Sequence, residues 1–166
     1  MTPDAAGKPS STAPLREEQG KILKAVLALG ERLEKLHEQT TLEQMSTARD
    51  VVDFVKRQVV PHTRAEEYSL YPAADWAAGE GSKLTELARF EHQIIVRRLE
   101  ALEQAISKGA PPGKLMHISY AILGLVAAHF TATEEVLLPY LDKAFDAARF
   151  EKEVLSPLRA ERAAKR

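Results

Sequence analysis

From Leu15 onward the apolar residues of this chain fall three and four positions apart, in four long blocks separated by short interruptions. That spacing is the 3.6-residue period of helices that bury one face, and no block shows the alternation of a half-buried strand. The first block runs from Leu15 to about Gln39 through Ile22, Leu23, Val26, Leu27, Leu29, Leu33 and Leu36, and Pro14 suits its first turn. Thr40 and Thr41 break it and offer an N-cap. The second block, from about Leu42 to Leu70, contains Pro61, which predicts a kink or an end to its first half. Pro72, Gly79 and Gly81 mark the following loop, and Ser82 caps a third helix to about Lys108. Gly109, Pro111, Pro112 and Gly113 form the clearest boundary. The fourth helix spans about Lys114 to Leu138, where Pro139 ends or bends it.

Helices of ~25 residues are ~37 Å long, and short connections between them favour antiparallel neighbours. The expectation is an all-α fold, an antiparallel up-down four-helix bundle over residues 14–140. Residues 1–13, rich in Pro, Ser, Gly and Ala, read as a disordered tail. Residues 141–166 form a C-terminal extension, in which Phe145, Phe150, Val154 and Leu158 predict a short fifth helix on the bundle end. The final stretch from Leu158 reads as solvated.

Several function classes drop out early. The net charge is −1, so the chain carries no electrostatic footprint for nucleic acid or an anionic membrane. No signal-peptide pattern opens it, and the most apolar run, Ala121 to Phe130, is too short to cross a bilayer. A cytoplasmic protein is expected. The chain has no Cys, which leaves His, Asp and Glu as the metal ligands available to it.

An internal repeat points to a site. Residues 62–72 and 129–139 each begin with His, carry Glu five residues on, Leu eight on and Pro ten on. Related segments lie upstream, ending in Gln19 and in His92. Two hairpins of one design would bring Gln19, His62, His92 and His129 to corresponding places, one per helix. His62 and Glu66 are four apart and share a helix face. His92, with Ile95, Val96 and Leu99 beside it, is expected to face inward, as is His129 with Ile118, Ile122, Leu125 and Val126. Three inward imidazoles with carboxylates make a ligand set for iron, manganese or zinc. Glu134 lies five residues after His129, about 140° around an ideal helix, and reaches the interior only if a π-type widening intervenes. The position four after His129 is Thr133, a poor ligand. His37, about 27 Å along the helix from Gln19, and His117 are set apart from the cluster.

The two His…Glu…Pro segments and the single third-helix His resemble the hemerythrin-like (HHE cation-binding) domain family over roughly residues 15–140. The resemblance implies a four-helix bundle around a non-haem di-iron centre, with His62, Glu66, His92, His129 and Glu134 as metal ligands. A mononuclear iron, a manganese or a zinc ion is the alternative cofactor. It further implies a protein that binds O2, NO or peroxide for sensing, storage or stress response. The alternatives are a peroxide-consuming or ferroxidase-like oxidoreductase and a degenerate interaction module. Two departures stand out: Gln19 occupies the place of a first-helix His, where it can ligate weakly or hydrogen-bond, and Val96 stands where some members carry another His.

Overall fold

The computed structural model of the chain describes residues 10–35 and 40–164, and residues 1–9, 36–39 and 165–166, with the expected end of the first helix at Gln39, lie outside that description. Five helical rods account for the fold, with no strand among the described residues. We label them α1 (Ala13–Glu34), α2 (41–78), α3 (Glu86–Ser107), α4 (Pro112–Ala144) and α5 (147–164).

The local signals explain most of the boundaries. Pro14 sits in the first turn of α1. Thr40 caps α2 through a reciprocal capping box with Glu43, each satisfying a backbone N–H of the other. After α3 the chain reverses at Gly109, whose φ of +63° is the left-handed conformation that favours glycine. Pro112 then opens α4.

Prolines inside the rods behave differently from expectation. Neither Pro61 nor Pro72 ends α2, and Pro139 does not end α4. Each follows a five-residue π-turn: Val55–Val59 before Pro61, Glu66–Leu70 before Pro72, Thr133–Leu137 before Pro139, and Glu151–Leu155 before Pro157 in α5. A helical proline lacks the N–H for an α bond and its ring presses on the carbonyl four residues back. A turn bonded i to i+5 relaxes that crowding and lets the rod continue.

Apolar side chains form two cores stacked along the bundle. The larger contains Ile22, Val26, Val59, Ile95 and Val126, and the smaller contains Leu15, Leu70, Ala88, Leu137 and Leu158. Going N to C, α1 passes from the smaller core to the larger, α2 from larger to smaller, α3 back, and α4 returns. This alternation is the antiparallel up-down order. Between the two cores each of the first four rods contributes polar residues: Gln19 from α1, His62 and Glu66 from α2, His92 from α3, and His129 and Thr133 from α4, all buried.

α4 is long and apolar enough to span a bilayer by composition. Here it is the central helix of the bundle, with Leu115, Ile122, Val126 and Phe130 buried in the larger core. The C-terminal extension is more firmly attached than the sequence suggests. Phe150, Val154 and Leu158 are fully or nearly fully buried. Arg159 and Arg162 both pair with Glu18 of α1, at 2.7 and 3.2 Å. Burying Leu158 stabilises by about 1.5–3 kcal/mol. Partly exposed ion pairs add about 0–1 kcal/mol, so apolar packing holds α5 in place. At the other end, the side chains of Ser10 and Ser11 and the backbone N–H of Thr12 all donate to Asp142, which fixes the start of α1 against α4.

Candidate metal centre

The polar layer converges on one carboxylate. Glu66 is fully buried, and its two oxygens face different neighbours. Oε2 lies 3.3 Å from His92 Nε2 and 3.3 Å from His129 Nε2, and those two nitrogens are 3.1 Å apart. Oε1 lies 3.3 Å from His62 Nε2 and accepts a 3.0 Å hydrogen bond from the Gln19 amide. The carboxylate therefore divides the layer into an α3/α4 side and an α1/α2 side.

The α3/α4 side has the dimensions of a coordination shell. Two donors about 2.1 Å from one ion stand about 3.0 Å apart at a right angle and about 3.4 Å apart at the tetrahedral angle. The separations of 3.1, 3.3 and 3.3 Å fall within that interval. The outer nitrogens of both imidazoles are tied to carboxylates: His92 Nδ1 is 2.8 Å from Glu67, and His129 Nδ1 is 3.0 Å from Glu91. Such partners accept the Nδ1 proton and turn the Nε2 lone pairs inward, as a metal requires. On the α1/α2 side, the buried His62 Nε2 and Gln19 Oε1 have no hydrogen-bond partner. Buried polar atoms left unpaired are costly, and a cation beside Glu66 would satisfy them. The donor set fits a metal ion.

The neighbouring groups set the charge balance of the layer. Burial alone would push the Glu66 carboxyl up. The charge of His62 and the hydrogen bond from His129 outweigh it and hold the carboxyl well below the usual range. Burial likewise opposes charge on His129, but hydrogen bonds to Glu66 and Glu91 and their charges prevail, and its pKa rises to about 9.

Of the residues singled out from sequence, Gln19, His62, Glu66, His92 and His129 come together. Glu134 does not: its side chain is half exposed and pairs with Arg16 at 3.3 Å. A π-turn does form, at Thr133–Leu137, but one turn too late to bring Glu134 inward. The Thr133 N–H still bonds the His129 carbonyl in ordinary α register, so Thr133 takes the inward place and Glu134 stays on the far face. In the repeat Thr133 aligns with Glu66. Val96 also turns partly outward, at 36% exposed, while Ile95 and Leu99 are buried as expected. His117 is exposed, as expected, and His37 lies outside the described residues.

The sequence reading missed Glu67 and Glu91. Both adjoin residues it did choose, Glu67 following Glu66 and Glu91 preceding His92, but adjacency on a helix means roughly a 100° turn away. Which neighbouring imidazole they would meet depends on how the rods pack.

No curated protein and no solved structure matched the chain. The family model described as the hemerythrin HHE cation-binding domain matches residues 12–141, which span all four bundle rods except the end of α4. With buried histidines and a shared carboxylate between two apolar cores of an up-down bundle, the chain belongs to the hemerythrin HHE cation-binding domain family.

Proposed function

We propose that this is a cytoplasmic non-haem iron protein that binds O2, NO or peroxide for sensing, storage or stress response. One ion would be held by His92, His129 and Glu66 Oε2, and a second, more weakly, on the Oε1 side by His62 and Gln19. The observation that carries this reading is a single buried carboxylate with imidazole nitrogens 3.3 Å from each of its oxygens. Nitrogen and oxygen donors of this kind suit iron, and iron so held supplies open positions for a small ligand and reversible one-electron chemistry.

The protein's own residues define the rest. Glu67 and Glu91 orient the two imidazoles and raise their basicity. Gln19, in the place of a histidine, holds Glu66 by its amide N–H. Phe130, edge-on to His62 with ring centroids 5.3 Å apart, and the two flanking cores keep bulk water away. A second reading, peroxide turnover or ferroxidase-like oxidation, is favoured by Thr133: a hydroxyl where the repeat aligns a carboxylate leaves more of the ion open.

The test is metal content and optical spectrum after anaerobic ferrous loading, for the parent protein and for His62→Ala and His129→Ala. We expect two ions per chain in the parent, loss of the weaker one in His62→Ala, and loss of tight binding in His129→Ala. Full loading of both variants would refute the assignment. Reversible spectral change with O2 or NO, as against sustained consumption of peroxide, separates the two readings.

A further inference from the structure

The α3/α4 side of the site contains a fourth oxygen. Tyr71 is fully buried, and its hydroxyl lies 2.8 Å from His92 Nε2, the nitrogen that also faces His129 and Glu66. That hydrogen bond puts the phenol oxygen on the inward nitrogen of His92 rather than on its outer one. We propose that Tyr71 is a direct ligand of the ion, binding as a phenolate beside His92, His129 and Glu66. The inference rests on the iron-binding reading above and adds to it the identity of a fourth protein donor.

Three observations carry it. The first concerns proton placement. In the neutral imidazole of His92, Glu67 accepts the Nδ1 proton and Nε2 accepts the hydrogen bond of the Tyr71 hydroxyl. An ion bound by Nε2 displaces this hydrogen bond. Among the described residues the Tyr71 hydroxyl has no other hydrogen-bond partner, and a fully buried hydroxyl left without one is strongly disfavoured. Binding the ion resolves this: the O–H bond breaks, the oxygen–metal bond forms, and one proton leaves to solvent for each ion taken up.

The second is local geometry. Glu66 and Tyr71 are five residues apart and would point about 140° apart on an ideal α-helix. The Glu66–Leu70 π-turn bonds the Tyr71 N–H to the Glu66 carbonyl, so residues five apart stack on one face. Pro72, immediately after, disfavours the ordinary register. The corresponding turn in α4 places Leu138 at the matching position, so the phenol is confined to the α2 half of the repeat.

The third is charge. The Arg89 guanidinium lies 5.0 Å over the Tyr71 ring, but burial and the charges of Glu66, Glu67 and Glu91 outweigh it and push the hydroxyl well up, so a phenolate here needs a cation bound at its oxygen. Tyrosine is an established type of iron ligand, and ferric phenolates absorb visible light by charge transfer from the ring.

The experiment loads the full chain with ferric iron and measures bound iron alongside the visible spectrum, for the parent, Tyr71→Phe and Tyr68→Phe. Tyr68, 65% exposed, is the control for any nearby phenol. The expected result is a visible charge-transfer band in the parent and in Tyr68→Phe, and loss of that band in Tyr71→Phe with iron still bound. Iron bound by the parent without a visible band, or a band that survives in Tyr71→Phe, overturns the role of Tyr71 and leaves the metal site standing. No iron bound by the parent overturns both. Resonance Raman of the parent grown with ring-deuterated tyrosine settles the point if Tyr71→Phe does not fold: absence of isotope-shifted phenolate modes in the iron-loaded protein overturns the proposal.

Discussion

Removing the charge behind one imidazole should weaken metal binding more than removing it behind the other. Glu91 and Glu67 play the same part for His129 and His92, at 3.0 and 2.8 Å. Their surroundings differ: the Glu91 side chain is 17% exposed and that of Glu67 is 41% exposed. Changing each to Gln keeps an amide oxygen able to accept the Nδ1 proton but removes the negative charge. Loss of such an outer partner costs about 10–100-fold in affinity, or about 1.4–2.7 kcal/mol. At Glu67 water reaches the imidazole and substitutes, and solvent already screens the charge, so Glu67→Gln belongs near the tenfold end. At Glu91 little water enters, so Glu91→Gln belongs near the hundredfold end. Competition against a chromophoric chelator, with ferrous iron under anaerobic conditions or cobalt as a surrogate, measures both constants. Equal affinities for all three proteins, or a larger loss in Glu67→Gln, would sink the claim that these carboxylates tune the ligands.

Other outcomes follow from the same coordinates. Because the pKa of His129 is raised to about 9 in the metal-free protein, metal uptake displaces its proton, and affinity should rise at least tenfold per pH unit up to about pH 9. Chelator competition across pH 6–9 tests this, and a flat profile refutes it. In metal-free protein the sign for stability is opposite: the His129 contribution is complete below its unfolded value near 6.5 and fades as pH rises through about 9. The Glu66 contribution is present above about 4.5 and is lost as acid brings the pH through its lowered folded value. Thermal melts in chelator across pH should therefore peak on the mildly acidic side, and a maximum above pH 9 would contradict the pairing. Leu158→Ala should cost about 2–5 kcal/mol in denaturant unfolding, whereas Arg159→Ala should cost at most about 1 kcal/mol.

Much of this was legible in the residues themselves. The three-and-four spacing gave the rods, and the repeat gave the four polar positions between the cores, because both are properties of single helices. What escaped were features set by register and by packing. No spacing argues for Tyr71 as a ligand until the π-turn before Pro72 turns it onto the face of Glu66. Glu134 reads as a ligand through the same kind of turn, yet there the widening begins after Thr133 and leaves the acid on the surface. Both cases hang on which residue opens a wide turn. The four π-turns share a cue that is visible in the chain, since each closes two residues before a proline. By the ordinary rule for helical proline, Pro61, Pro72 and Pro139 mark kinks, a loop edge or stops, and that rule makes no allowance for a rod that re-registers and carries on.

The C-terminal rod has a bearing on any attempt to shorten this protein. The family match stops at residue 141, yet Arg162, from beyond that limit, brings a guanidinium nitrogen to 3.5 Å from His62 Nδ1, and Val154 takes the hydroxyl proton of Ser69. A fragment trimmed to the homologous segment would retain all the donor side chains but have one wall missing, with His62 opened to the medium and the apolar seats of Phe150 and Leu158 bare. Such a fragment would report on a leaky, sticky relative of the native centre, so the intact chain is the right material for work on its chemistry.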